Sequence, residues 1–207
     1  MQIFCDFDGT ITKEDSVDYI LQSLAEKEWL EIEQKWQDGL INSAQCMKSQ
    51  ITLIKASQER LNLKLKEISI DPTFADFVKF CQSINVQITI ISDGVDYFIK
   101  KICENHNLPT LPIIANKLLI NQDKYNLELP YNQTNCKVQS AVCKCQSIQS
   151  SIGKKIYIGN GRSDFCVSHQ ADIIFAKDDL ATYCKNNQLS FIAYKDFSDI
   201  VESFYKL

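Results

Sequence analysis

Residues 2–7 (Gln-Ile-Phe-Cys-Asp-Phe) open as a short apolar run that halts at Asp8-Gly9-Thr10. This is the pattern of a buried strand ending in a tight turn, so Asp6 and Asp8 are expected at a strand's carboxyl end. From Ser16, a residue suited to capping, Val17, Ile20, Leu21 and Leu24 recur at helical spacing. Further helical stretches are predicted around Trp29-Ile32-Trp36 and Cys46-Met47-Ile54, so residues 13–71 read as all-helical. Asp71-Pro72 predicts a helix start, with Phe74, Phe77, Val78 and Cys81 on one face. Val86 to Ile91 reads as a strand ending at Ser92-Asp93-Gly94, and Val95, Phe98, Ile99 and Ile102 form the helix behind it. Short strands are predicted at Ile113-Ile114, Lys117 to Asn121 and Tyr125 to Leu129, the last two joined by a polar turn. Ile156 to Ile158 stops at Gly159-Asn160-Gly161, and Asp172 to Phe175 stops at Lys177-Asp178-Asp179.

Alternation of strand and helix from residue 72 onward argues for an α/β fold, a parallel sheet with helices on both faces. The helical block interrupts it. Residues 1–12 and 72–207 are therefore expected to form a core, with 13–71 inserted as a helical subdomain and 111–131 as a small β-hairpin insertion.

Composition narrows the partners. The chain has 207 residues, 45% hydrophobic and 23% charged, which excludes disorder and fibrous repeats. Lys plus Arg number 22 against 26 Asp plus Glu, a formal charge of −4, so no basic surplus can neutralise a nucleic acid backbone. Only Arg60 and Arg162 are arginines, so an arginine cluster forking onto anions is unavailable. Asp6 falls where a secretion signal would be apolar, and no stretch approaches the roughly 20 apolar residues of a membrane helix. A cytoplasmic protein that does not meet a membrane is expected, its nine cysteines reduced thiols. Oligomeric state has no signature in the sequence.

Three strand ends carry polar or Gly-rich sequence: Asp6 to Thr10, Ser92-Asp93-Gly94, and Gly159 to Asp164. In open parallel sheets the working groups gather at such ends. Asp6, Asp8, Asn160 and Asp164 offer hard oxygen ligands without imidazole or thiolate, a set suited to Mg²⁺, and magnesium implies phosphate. A Ser hydroxyl and a Lys ammonium would bind the remaining phosphoryl oxygens.

Asp6-Phe7-Asp8-Gly9-Thr10-Ile11-Thr12 resembles the first motif of the haloacid dehalogenase (HAD) superfamily, and Ser92, Lys144 and Gly159 to Asp164 follow in the order of its other motifs. The helical insertion is similar to that of the phosphoserine-phosphatase-like branch. Within it, Asp15, Glu28-Trp29, the run Ile90 to Phe98, Cys143-Lys144 and Ser163-Asp164 most resemble the methionine-salvage phosphatases acting on 2-hydroxy-3-keto-5-methylthiopentenyl-1-phosphate. The resemblance spans essentially the whole chain. It implies a Rossmann-like core with an inserted cap, and a phosphatase of a small phosphorylated metabolite. Asp6 would be the nucleophile that becomes aspartyl-phosphate, and Asp8 the acid and base, its backbone carbonyl on Mg²⁺. Thr10, Ser92, Asp93, Gly94 and Lys144 would bind phosphate. Asp6, Asp8, Asn160 and Asp164 would hold the metal.

One departure and several bland alternatives accompany these expectations. Asn160 stands where the family usually has Asp, so weaker Mg²⁺ binding is expected, and a partner-binding pseudophosphatase is the sceptical alternative. Lys137 also follows a cysteine and is the alternative to Lys144. Asp15 is either a substrate-contacting acid or a carboxylate favoured at a helix start. Trp29 and Trp36, seven apart, read as helix packing, and Cys166 and His169 as packing residues on a helix. A cysteine phosphatase is excluded, since the residues six before the two arginines, at 54 and 156, are Ile. Phosphoserine, whose carboxylate would call for an arginine such as Arg60, is the alternative substrate.

Overall fold

The computed structural model describes residues 1–133 and 140–205. Its central sheet runs in the order β4-β3-β2-β1-β5-β6-β7, built from β1 (Gln2–Cys5), β2 (Gln87–Val95), β3 (Ile113–Asn121), β4 (Lys124–Glu128), β5 (Lys155–Gly159), β6 (Ile173–Ala176) and β7 (Ile192–Ala193). All neighbours are parallel except the β3–β4 hairpin. The segments predicted at Ile113-Ile114 and Lys117 to Asn121 are one continuous strand, because the second half pairs with β4 after the first half has paired with β2.

Period-two side-chain alternation splits the strands between two apolar layers. Ile3, Cys5, Ile88, Ile90, Ile156 and Ile158 pack on one face with Phe74 and Phe77 of α5 (Phe74–Ser83), Phe98 and Ile102 of α6 (Asp96–Asn105), and Phe197 and Ile200 of a C-terminal helix (Phe197–Phe204). Phe4, Ile91, Tyr157 and Ile174 face the other way, onto Ile148 of α7 (Lys144–Gln149) and Leu180 of α8 (Asp178–Asn186). Helices therefore cover both faces, as a buried parallel sheet requires. Burying each such Ile or Phe contributes about 1.5–3 kcal/mol, so the two layers outweigh any surface ion pair, worth about 0–1 kcal/mol, in holding the sheet.

Between β1 and α5 lie α1 (Ser16–Leu24), α2 (Trp29–Gln37), α3 (Ser43–Ile51) and α4 (Gln58–Leu65). The chain leaves and re-enters the sheet layer side by side: Thr12 bridges Ile70, and the Lys13 and Asp71 amides donate to Ser69 and Ile11 carbonyls. Val17, Ile20, Leu21, Ile51, Leu61 and Leu65 turn inward from these helices. Trp29 is buried but Trp36 is 38% exposed, so the paired-tryptophan packing expected from their spacing does not occur. The cap of α1 is Asp15, not Ser16: its carboxylate accepts from the Val17 and Asp18 amides, while Ser16 is the first helical residue.

His169 ends the second of two short 3₁₀ turns, Arg162–Asp164 and Val167–His169, and Cys166 lies between the two, so neither is on the expected helix. Cys145 and Cys166, 21 residues apart, are joined as a disulfide with Cα atoms 6.2 Å apart, which corrects the expectation that all nine cysteines are free thiols. Spacing alone could not reveal a pairing that exists only once α7 and the turns pack together. Among the described residues, no helix is long and apolar enough to cross a membrane.

Candidate active site

Order reverses at β1, from which the chain proceeds outward through β2 and β3 on one side and through β5, β6 and β7 on the other. Cys5 is level with both Ile90 and Ile158. The residues just past them, Asp6, Ser92 and Asn160, therefore emerge at one carboxyl edge, where a crevice between diverging connections is expected.

Lys144, fully buried at the start of α7, organises one side. Its ammonium donates to Asp6 Oδ1 at 2.7 Å, Asp164 Oδ1 at 2.6 Å and Ser163 Oγ at 3.0 Å, which occupies all three of its protons. Burial by itself would favour the neutral amine, but the Asp164 and Asp6 carboxylates hold Lys144 protonated, above the usual lysine range. Burial first, then the Asp164 charge, raises Asp6 above the usual carboxylate range, and Lys144 opposes them. Lys137, the alternative lysine, lies outside the described residues.

Asp164, expected among the metal ligands, is instead saturated. Oδ1 accepts from Lys144 and from the Tyr157 hydroxyl at 2.5 Å, and Oδ2 accepts the Asn160 and Gly161 amides, each at 3.0 Å. Four donors on one buried carboxylate make it a brace for the loop and for Lys144. A side chain at Gly159 would collide with this carboxylate, so the position requires glycine.

On the other side, Asp8 Oδ1 accepts the Ser16 amide at 2.8 Å and Oδ2 lies 3.4 Å from Ser92 Oγ. Burial and the nearby Asp15 charge push the Asp8 carboxyl up to about 8. A protonated carboxyl here can donate a proton that Asp6, paired with Lys144, cannot.

The remaining expected residues are placed less uniformly. The Thr10 hydroxyl donates to Asn160 Oδ1 at 2.9 Å, so in this geometry it orients the amide. Gly9, in the left-handed region at φ +73°, passes so close to that amide that a Cβ would strike it. The Gly94 amide donates to Ser92 Oγ at 2.9 Å, and Asp93 directs its carboxylate away, to Ser43 and to the Val142 amide. Asp15 faces Asp8 but spends one oxygen on capping α1. Arg162 is exposed.

The contacts of Tyr157, Ser163 and Ser43 are not legible in the sequence. A tyrosine among apolar strand residues reads as core until its hydroxyl partner is known. Lys177 was missed as well: its ammonium lies 3.5 Å from the Thr10 carbonyl and over the Tyr194 ring.

The side chains that could hold a cation at this edge offer only oxygen: the Asp6, Asp8 and Asp164 carboxylates and the Asn160 amide oxygen, which accepts the Thr10 hydroxyl. Among the described residues no cluster of three or more His, Cys, Asp or Glu could hold a metal. Oxygen donors of this kind suit a hard, partly hydrated Mg²⁺, and in this geometry Asp164 is engaged by four hydrogen-bond donors.

Comparison with known proteins adds to this geometry. Residues 1–195 match the family described as "Putative Phosphatase". Across its full length the chain is 27% identical to Pdp3-interacting factor 1 of Schizosaccharomyces pombe, of which it covers 96%. It is 25% identical to a 2-hydroxy-3-keto-5-methylthiopentenyl-1-phosphate phosphatase of Bacillus cereus, over 97% of this chain and 94% of that protein. Among solved structures, a substrate-bound phosphoserine phosphatase complex aligns with a TM-score of 0.72 at 19% identity, over 98% of this chain and 97% of that one. A HAD family hydrolase from Salmonella enterica aligns with a TM-score of 0.74 at 20% identity, over 94% of this chain and 67% of that one. At these identities the structural likeness speaks for the fold, a mostly parallel HAD-type sheet with flanking helices.

Proposed function

Since the chain belongs to the "Putative Phosphatase" family, we propose that it hydrolyses a small-molecule phosphate monoester through an aspartyl-phosphate on Asp6, with Mg²⁺ as cofactor. The observation that carries this reading is the convergence of Asp6, held by the Lys144 ammonium, with Asp8 and Ser92 at one strand edge. Asp6 attacks phosphorus while the Asp8 carboxyl gives its proton to the leaving oxygen. Asp8, now a carboxylate, takes a proton from the water that attacks the aspartyl-phosphate, and Asp6 is regenerated. Burial of Asp8 supports this division, because one carboxyl must be neutral while its neighbour is ionised. Ser92 and Lys144 hold phosphoryl oxygens, Lys144 exchanging one of its present acceptors for phosphate. Mg²⁺ would be held by Asp6, Asn160 and the Asp8 carbonyl, and when bound supplies positive charge against the phosphoryl oxygens. Asp164 braces Lys144 and the Asn160 loop.

The α1–α4 segment is proposed as a cap over this edge, and 2-hydroxy-3-keto-5-methylthiopentenyl-1-phosphate or a chemically related metabolite as substrate, on the strength of the Bacillus relatives. Phosphoserine is disfavoured because Arg60 is exposed on α4, and Asp15, Asp18 and Glu33 stand near one another on the cap, where a substrate carboxylate would be repelled. Asn160 and the relative named for interaction with Pdp3 support the second reading, a partner-binding protein with weak or no turnover.

One assay separates them. Wild type is expected to hydrolyse p-nitrophenyl phosphate only with Mg²⁺ present, and Asp6→Asn to lose all turnover. Activity near wild type in Asp6→Asn would overturn the mechanism, and a wild type inert with Mg²⁺ would favour the second reading.

A further inference from the structure

We infer that Asp93 is a positioning residue that ties the docked position of the cap to the position of Lys144. The inference rests on the phosphatase reading for its catalytic consequence. Asp93 follows Ser92 at the end of β2, where phosphate binding was expected of it, yet its two carboxylate oxygens serve other chain segments. Oδ2 accepts the Ser43 hydroxyl at 3.0 Å, and Ser43 is the first residue of α3. Oδ1 accepts the Val142 amide at 2.6 Å, two residues before Lys144. One side chain thus joins the cap, the last residues of β2 beside Ser92 and the segment that delivers the lysine.

The surroundings argue that this junction is built rather than incidental. Asn42 caps α3 and forms a reciprocal capping box with Gln45, so the Ser43 hydroxyl is not needed for capping and is free for Asp93. One helical turn along the same face, Met47 Sδ lies 3.8 Å from Asn116 Nδ2. Asn116 is fully buried on β3, and its Nδ2 also donates to the Asp93 carbonyl at 2.6 Å and the Gly94 carbonyl at 3.1 Å. The main chain at Asp93 is therefore clamped from the sheet side, in the stretch where β2–β3 register shifts. Clamping the backbone leaves the carboxylate a fixed post between cap and lysine segment. A negative charge at the start of α3 is favoured by the helix dipole as well. Loss of the carboxylate frees Ser43 and Val142 together, whereas loss of the Ser43 hydroxyl releases the cap alone.

The test is a double-mutant cycle with turnover of p-nitrophenyl phosphate and backbone hydrogen exchange as readouts. Ser43→Ala is expected to raise KM about threefold with kcat within about twofold of wild type. Asp93→Ala is expected to raise KM equally and to lower kcat about tenfold, because a small displacement of a catalytic group is costly. The double variant should match Asp93→Ala, and Asp93→Asn, which keeps an oxygen for the Val142 amide, should recover most of kcat. Multiplicative KM effects in the double variant, or kcat in Asp93→Ala within about twofold of wild type, would overturn the inference. Hydrogen exchange separates this from the phosphatase reading: in the inactive Asp6→Asn background, adding Asp93→Ala should speed exchange in both 43–51 and 140–144. Unchanged exchange in either segment overturns the tie whether or not the protein turns over phosphate.

Discussion

Lys144 is fully buried with three hydrogen-bond acceptors, and one of them, Asp164, is itself held by four donors. An ammonium with no solvent contact is tolerable only because two carboxylates and a hydroxyl receive its protons. Asp164 in turn depends on Tyr157, whose burial and proximity to that carboxylate keep the phenol protonated and donating. Tyr157→Phe removes one donor with little change in volume, leaving three on Asp164. Hydrogen bonds to charged groups contribute about 1.5–3 kcal/mol, so urea denaturation is expected to show a loss near the lower end, about 1.5 kcal/mol, with a lower kcat as Lys144 is drawn toward Asp164. An unchanged midpoint would mean that the phenol contributes nothing there.

At the scale of elements, the two segments that carry Lys144 and Asp164 are short: α7 has six residues and the Arg162–Asp164 turn three. Neither is long enough to be stable alone, so their mutual position depends on what joins them. Cys145–Cys166 does so covalently, from the residue after Lys144 to the second residue after Asp164. Closing a loop of this length contributes about 2–4 kcal/mol through the unfolded chain. Cys145→Ser/Cys166→Ser, or reduction of the wild type, is expected to lower stability by about that amount, read as a denaturant midpoint with and without reductant. Identical midpoints, with no linked Cys145–Cys166 peptide by mass spectrometry, would show that the bond does not form in solution. Helix α1 illustrates the same dependence in non-covalent form, since its Asp15 cap sits beside Asp8 and its Ser16 amide holds the Asp8 carboxylate.

Taken whole, the molecule sets Asp15, Asp18 and Glu33 of the segment proposed as a cap near a strand edge that carries Asp6 and Asp8, with Lys144 as a buried counter-charge. An organic tail bearing a carboxylate would meet this field, so kcat/KM for phosphoserine is expected to fall at least about tenfold below that for a monoester with an uncharged tail of similar size. Competition between the two substrates in one vessel measures the ratio directly, and a preference for phosphoserine would refute the cap argument. Much of this architecture was legible in the chain. The apolar run halted at Asp6 to Thr10 and the Gly159 to Asp164 turn depend on local period and turn chemistry, which adjacent residues set by themselves, whereas β2 runs on through Ser92-Asp93-Gly94 to Val95, past the end that those turn residues predict. Which oxygen receives which proton was not legible. Asp6 is 138 residues from Lys144 and Asp93 is 50 from Ser43. Whether Asp164 is open to a cation or saturated, whether Asp93 faces phosphate or Ser43, and whether Cys145 is free or bonded are decided by groups that meet only after the layers pack. Sequence by itself determined the main strands and helices as far as β6, their order and the residue types at the strand ends. Tertiary structure alone decided how those side chains are engaged, because hydrogen-bond saturation and charge are properties of neighbours in space.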